Sequence, residues 1–339
     1  MSGGDPITFA DVLAARARIA KDAVRTPLVP SVFMMQKSGR DFLLKLEIAQ
    51  PVGAFKIRGA ANAIARLPAE TRGVVCCSTG NHGRGVAYAA RARGIKAVVC
   101  MSSLVPQAKV DGIRALGADI RIVGRSQDDA QAESSRLCAE EGFVEIPPFD
   151  HADVIAGQGT IGLEMLEDRP DIASLLIPLS GGGLAAGVAL AAKAINPKIR
   201  TIGISMDRGA AMVASISAGR PVEVEEVASL ADSLGGGIGL HNRLTFDLCR
   251  DLLDETVLVG EADIYNAMQV VYHEERIVAE GAGVVGLAAV LSGKVALPGG
   301  PAATILTGRN LDMPTFTRIV SGKPVTLGGT LLEGRRYGA

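Results

Sequence analysis

Gly53-Ala54-Phe55-Lys56-Ile57-Arg58-Gly59-Ala60 sets a single lysine between two apolar residues. Pro51 and Gly53 precede it, and a helical run from Ala60 to Leu67 follows. A lysine so placed is poorly solvated. Burial disfavours the ammonium form and pulls its pKa down from about 10.4 toward neutrality. A neutral buried amine is a nucleophile, and its usual use is a Schiff base with a carbonyl compound. Taken alone, the octapeptide also fits a lysine at a helix start whose head reaches water.

The chain around this stretch has a regular rhythm. Val74 to Cys77 reads as a buried strand, followed by a Ser-Thr-Gly-Asn-His turn and a helix to Arg93. Ala97 to Met101 and Ile120 to Val123 are strands; Pro106 to Leu116 and Gln127 to Glu141 are helices. Val144 to Ile146 is a short strand, and Pro147-Pro148-Phe149-Asp150 breaks the rhythm at an expected domain crossing. A second alternating set follows. It has a helix at Ile161 to Glu167, strands at Leu175 to Leu179, Thr201 to Ser205 and Ala303 to Leu306, and helices to Ile195, His273 and Leu291. Upstream, Thr8 and Asp11 come close to a capping box ahead of a helix, and Asp41 to Glu47 reads as a strand. Alternating strands and helices predict an α/β fold with parallel sheets covered on both faces. The tail after Val325, rich in glycine and arginine, is expected to be loose.

Composition narrows the function classes. A length of 339 residues predicts about two domains. Net charge is −1, from 35 basic and 36 acidic residues, which argues against a nucleic-acid or membrane surface. Tryptophan is absent and aromatics are 4%, which argues against a base-stacking platform. There are 41 glycines, about 12% against a usual 7% or so, as tight turns and close backbone approaches to a ligand require. Five cysteines without CxxC spacing predict reduced thiols in the cytoplasm, and Met1 to Asp11 lacks the features of a signal peptide. The apolar run Leu175 to Ile195 holds Pro178, Ser180 and the consecutive glycines Gly181 to Gly183, so it reads as strand, loop and helix rather than a membrane span.

Two loops have the chemistry of anion sites. Ser180-Gly181-Gly182-Gly183-Leu184 joins a strand to a helix; its glycines free backbone N–H groups, and the helix end adds about half a positive charge. A phosphate is the expected guest. Gly181, Gly183 and Ala186 also fit G-x-G-x-x-A, with Asp207 after the next strand, so a nicotinamide dinucleotide is an alternative guest. Ser78-Thr79-Gly80-Asn81-His82 likewise leads into a helix and suits a carboxylate, although Ser, Thr and Asn are also ordinary N-caps. Thr307 ends the last buried strand, at the edge where ligands of open α/β sheets sit. His82, His151, His241 and His273 show no metal-ligand spacing, so no metal is expected.

Together these residues resemble the fold-type II pyridoxal-phosphate enzymes, the tryptophan synthase β-like group, and within it the threonine/serine dehydratase and serine racemase branch. Ala54 to Ala60 is similar to its lysine motif and Ser78 to His82 to its Ser-Gly-Asn-His loop. Ser180 to Leu184 is similar to its glycine loop, Thr307 to Asn310 to its Ser-Gly-Gly-Asn end, and Ile155 to Thr160 matches as well. The stretch Cys76 to Gly85 looks most like the hydroxyectoine-utilisation dehydratases.

The resemblance implies a large cofactor domain of residues 1–65 and 150–339 and a small substrate-carboxylate domain of residues 66–149. It implies that Lys56 holds pyridoxal 5'-phosphate as an aldimine. Phe55 and the backbone of Ser180, Gly181, Gly182, Gly183 and Leu184 would hold the phosphate. Asn81 would meet the ring 3' oxygen and Thr307 the pyridine nitrogen. Ser78, Thr79, Asn81 and His82 would receive the substrate carboxylate, with Thr79 also a candidate catalytic hydroxyl. The activity implied is β-elimination of water from a β-hydroxy amino acid, in a homodimer without nucleic-acid or membrane partners. Racemisation or β-replacement on the same cofactor is the alternative; a nicotinamide oxidoreductase and a non-catalytic binding protein are more remote ones. Ala54 replaces the usual serine, Ser205 stands where racemases carry a metal-binding carboxylate, and Arg84 and Arg309 are unusual and could select an anionic substrate.

Overall fold

The computed structural model describes residues 6–338 except Thr79, Pro106 and Pro298, and leaves the side chains of Ala108, Lys109 and Gln127 aside. The chain runs through α1 (Phe9–Ile19), β1 (Leu28–Pro30), α2 (Val32–Ser38), β2 (Phe42–Lys45), α3 (Lys56–Ala65), β3 (Val74–Cys76) and α4 (Asn81–Ala92). It continues with β4 (Ala97–Met101), α5 (Gln107–Arg114), β5 (Asp119–Ile122), α6 (Gln127–Glu141), β6 (Val144–Glu145), α7 (Ala152–Asp168), β7 (Ser174–Pro178) and α8 (Gly183–Ile195). Next come β8 (Arg200–Met206), α9 (Ala211–Ala218), α10 (Leu244–Leu252), β9 (Glu255–Val259), α11 (Glu261–His273) and α12 (Val285–Leu291). The chain closes with β10 (Ala302–Ile305), α13 (Met313–Val320), β11 (Val325–Leu327) and β12 (Thr330–Leu332).

Two main sheets form, as the alternating pattern predicts. The larger has the order β1-β2-β10-β7-β8-β9 and is parallel except for β1, which pairs antiparallel with β2 at the edge. The smaller has the order β5-β4-β3-β6 and is wholly parallel. Successive side chains along a strand face opposite layers, so both faces must be apolar. Leu176, Ile202 and Ile204 pack with α2, α11, α12 and α13, while Leu175 and Ile177 pack with α7, α8 and α10. In the smaller sheet Val74, Cys76 and Val99 pack with α3 and α4, and Val75, Val98 and Cys100 with α6.

The structure departs from the sequence expectations in identifiable ways. The lysine is the first residue of α3, not a loop residue ahead of a helix at Ala60. Helix α7 starts at Ala152, well before Ile161, and absorbs Gly157, Gly159 and Gly162. Those glycines disfavour an isolated helix but let backbones touch: a methyl group on Gly157 would lie 2.5 Å from the Arg58 carbonyl oxygen, and one on Gly159 2.9 Å from that of Gly187. The strand at β2 ends early, and Glu47–Ala49 forms a 3-10 turn instead. The tail is not loose. Strands β11 and β12 form a hairpin, Gln269 Nε2 donates to the Arg335 carbonyl oxygen at 2.8 Å, and Tyr337 stacks on His273. Among the described residues no helix is long and apolar enough to cross a membrane.

Candidate active site

Three loops leave the carboxyl ends of parallel strands and meet Lys56 around one cavity of about 230 Å³. They carry Ser78 and Gly80 after β3, Ser180 to Gly182 after β7, and Thr307 to Asn310 after β10. This is the edge at which the polarity of an open parallel sheet gathers loops and helix N-termini.

Lys56 stands at the start of α3 because the chain turns just before it. Gly53 has φ +72°, and a side chain there would press on Arg309 and Asn310. Ala54 then bridges antiparallel to Gly308, and Phe55 N donates to the Thr307 carbonyl oxygen at 3.0 Å. The lysine motif is thus fastened to the loop that carries Thr307. On its other side α4 presses close: a methyl group on Gly85 would lie 3.1 Å from the Lys56 carbonyl oxygen. Lys56 Nζ donates to the Pro148 carbonyl oxygen at 2.7 Å. Burial lowers the amine to about 8, against a smaller opposing pull from the Glu280 carboxylate. Much of the amine is therefore neutral just above physiological pH, as a nucleophile requires.

The glycine loop is bare for a reason. A methyl group on Gly181 would run into the Phe149 ring, and one on Gly182, where φ is +89°, would meet Met212, Thr245 and Cys249. Asp150 holds Phe149 over the loop by accepting from Thr245 N at 2.8 Å and Arg243 N at 3.1 Å. Gly181 and Gly183 thus leave the loop backbone and the N-terminus of α8 open toward the cavity. The first N–H groups of a helix lack intrahelical partners and favour an anion.

The Ser78 loop supplies a second such end at α4. A side chain on Gly83 would strike the Ser78 carbonyl group, so the turn into α4 is tight. Asn81 Nδ2 donates to Glu280 Oε1 at 2.8 Å, while Asn310 Nδ2 donates to Asn81 Oδ1 at 2.7 Å and to the Val52 carbonyl oxygen at 2.9 Å. The Asn81 amide is therefore fixed between a carboxylate and an amide. His82 Nε2 lies 2.7 Å from the Ile146 carbonyl oxygen, which can only accept. Burial, reinforced by Lys56, drops its pKa to about 3, so the ring is neutral and its single N–H is engaged. With that N–H engaged, the imidazole has none left to offer an anion arriving here.

Phe55, Lys56, Ser78, Asn81, His82, Ser180, Gly181, Gly182, Gly183, Leu184 and Thr307, scattered over more than 250 residues of sequence, all line this cavity. Thr79 lies outside the described residues. Asp207 follows β8 beside Arg208 and is not part of the lining, nor are Arg84 and Arg309. The Arg84 guanidinium lies against Gly112 of α5 and Arg309 against Gly53, so neither reaches the space in which an anionic substrate was expected to meet it. Sequence reasoning missed Glu280, Phe149 and Ser233 to Gly235 as lining residues. The one available signal for Glu280 was an acid set among small residues in Ala279-Glu280-Gly281-Ala282.

Residues 19–308 match the family model described as pyridoxal-phosphate dependent enzyme. The chain belongs to that family. A Sinorhizobium fredii protein provisionally assigned as a threonine dehydratase is 55% identical over 93% of this chain and 96% of its own. The L-threonine ammonia-lyase of Thermotoga maritima is 39% identical over 93% of this chain and 78% of its own. Among solved structures, maize serine racemase superposes with a TM-score of 0.87 at 36% identity, covering 92% of this chain and 96% of the racemase. The processed threonine deaminase isoform 2 of Solanum lycopersicum gives a TM-score of 0.87 at 35% identity, over 92% of this chain and 86% of the other.

This pyridoxal-phosphate enzyme is thus a fold-type II member of the dehydratase and racemase branch, and a lyase like its sequence relatives. Family membership overturns the nicotinamide alternative, and the exposed position of Asp207 agrees. The residues fit the cofactor. A depressed lysine amine and a side-chain-free cradle at a helix N-terminus face one cavity, matching an aldehyde and a phosphate on one small molecule.

Proposed function

We propose that this enzyme eliminates water from a β-hydroxy amino acid and releases an oxo acid and ammonia. One observation carries the reading: the Lys56 amine, the Ser180 to Leu184 cradle and the N-terminus of α4 all face the same cavity. Bound there, pyridoxal phosphate supplies the electron sink that stabilises charge at the substrate α-carbon. The chain supplies the rest. Lys56 Nζ is the base for the α-proton, poised by burial near the pH at which it works. The cradle and Phe55 hold the phosphate. The loop Ser78 to His82, Thr79 included, takes the substrate carboxylate on backbone N–H groups and hydroxyls. Asn81, oriented by Glu280 and Asn310, would meet the ring 3' oxygen, and Thr307 would offer the ring nitrogen a neutral hydroxyl. A neutral partner does not protonate that nitrogen, which suits elimination over transamination.

We assign residues 1–65 and 150–339 to a cofactor-binding domain and residues 66–149 to a substrate-carboxylate domain. In support, the smaller sheet draws all its strands from Val74 to Glu145. Threonine, serine, 3-hydroxyaspartate and a hydroxyectoine-derived amino acid are the substrates proposed, the last from the likeness of Cys76 to Gly85. The similarity to maize serine racemase favours racemisation as the second reading. Incubation of the purified protein with each amino acid, followed by assays for ammonia, oxo acid and chiral purity, separates them. Oxo acid and ammonia in equal amounts support elimination; loss of chirality without ammonia supports racemisation; neither product from any of them sinks both. Light scattering on the same sample tests the homodimer expected from the resemblance.

A further inference from the structure

Lys56 is the first residue of its helix, and helix ends fray. No side chain caps α3 at Phe55. The Phe55 bond to Thr307 and the approach of α4 restrain it on the cavity side, and a further restraint lies behind. Two residues on, and about 200° around the helix axis, Arg58 points away from the cavity. It is 1% exposed, and its guanidinium is saturated. Nε and Nη2 donate to the two oxygens of Glu47, each at 2.8 Å. Nη1 and Nη2 donate to those of Glu164 at 2.6 and 2.9 Å. Nη1 also reaches Thr160 Oγ1 at 3.0 Å, and Nη2 the Val24 carbonyl oxygen at 3.2 Å. Lys45 Nζ completes the cluster on Glu164 Oε2 at 2.6 Å and on the Thr26 carbonyl oxygen at 2.7 Å. Two cations and two carboxylates leave it formally neutral inside the protein.

Such a cluster is a weak source of stability, because desolvation offsets the attraction, and apolar side chains of similar volume often do as well. What it does provide is orientation. A planar fork bonded to two carboxylates tolerates little rotation. The bonds come from the loop after α1, the 3-10 turn after β2, and α7, so three separate segments fix one turn of α3. Gly157 and Gly59 bring α3 and α7 into backbone contact at the same level.

We propose that Arg58 is the positioning residue of Lys56, clamping the first turn of α3 from behind and so setting where the amine stands in the cavity. The proposal rests on the reading of Lys56 as the cofactor-binding lysine. Arg58→Lys keeps the charge and removes the fork. The test compares wild type and variant in three measurements: thermal midpoint, the rate at which pyridoxal phosphate attaches covalently to apoenzyme (trapped by borohydride and mapped by peptide mass), and kcat against KM. Attachment and kcat should both fall by about tenfold or more while KM stays within about twofold, the pattern of a displaced amine. A lower thermal midpoint with attachment and kcat unchanged overturns the proposal, for that is the pattern of a structural cluster alone. Attachment to a different lysine in the wild-type protein removes the reading of Lys56, and the proposal with it. Where Arg58→Lys yields no folded protein, Thr160→Val, which deletes one acceptor of the guanidinium, is judged by the same criteria.

Discussion

The Lys56 amine and the Pro148 carbonyl oxygen are joined by a 2.7 Å hydrogen bond that spans 92 residues of sequence. The bond comes from the segment between the last strand of the smaller sheet and helix α7, next to the residue whose ring covers the glycine loop. The amine is therefore held at the meeting of both sheets and the cradle. Lys56→Ala should abolish covalent cofactor attachment and lower turnover by roughly 1,000-fold or more, since in the proposed mechanism one group serves as both nucleophile and base. Borohydride trapping and a product assay measure the two effects. Turnover retained in the variant would rule out Lys56 as the base.

The pH dependence follows from the same amine. Its pKa is lowered to about 8, and only the neutral form attacks a carbonyl. The rate of cofactor attachment to apoenzyme should rise with pH up to about 8 and level off above it. A group whose folded pKa is lowered from that of a free lysine binds fewer protons in the folded state between the two values. Apoenzyme stability should therefore rise with pH from about 8 toward 10.5. Stopped-flow absorbance and urea unfolding across this range check both. A rate still climbing at pH 10 would mean that the amine is not depressed.

Glu280 pulls Lys56 the other way, since its carboxylate favours the ammonium. Glu280→Gln removes that charge and keeps a side-chain oxygen able to accept from Asn81 Nδ2. The pH midpoint for attachment should then move below its wild-type value. An unmoved midpoint would place the two groups out of electrostatic reach in solution.

Gly181→Ala tests the cradle. Its methyl group would enter the Phe149 ring, and overpacking of this kind costs about 1–3 kcal/mol. Cofactor affinity, measured by titration of apoenzyme, should weaken together with stability. Phe149→Leu in the same chain should recover part of both by making room. Undiminished affinity in the single variant would mean that the loop can move aside without loss.

Much of this architecture was legible because its cause is local. Helix α6 begins and ends where the sequence places it, since Ser126 and Asp129 form a reciprocal cap and Gly142 closes it at φ +71°. The strand-to-helix loops at Ser78 and Ser180 announce themselves by their glycines and hydroxyls. Glu280 was barely legible: its partner Asn81 is 199 residues away, and the small residues around it mark it as out of place without saying what it meets. Nor was the first half of α7, where local propensity and tertiary contact disagree. Glycine lowers helix propensity, and only the bodies of α3 and α8 explain why three of them occur in one buried helix.

That disagreement gives a sharp substitution. Gly157→Ala replaces a poor helix former by the best one, a gain of about 1 kcal/mol in an isolated helix. In this protein the added methyl group would lie 2.5 Å from the Arg58 carbonyl oxygen and 2.7 Å from the Gly59 Cα, both main-chain atoms that cannot swing away. Relief requires α3 to move off α7, which stretches the Arg58 bonds to Glu164 and Thr160. The overpacking cost of about 1–3 kcal/mol should exceed the propensity gain, so the net effect is destabilising. Because the displaced helix begins with Lys56, cofactor attachment should slow as well. Urea unfolding and the attachment rate read the two consequences separately. A variant more stable than wild type would show that the two helices are not in backbone contact in solution.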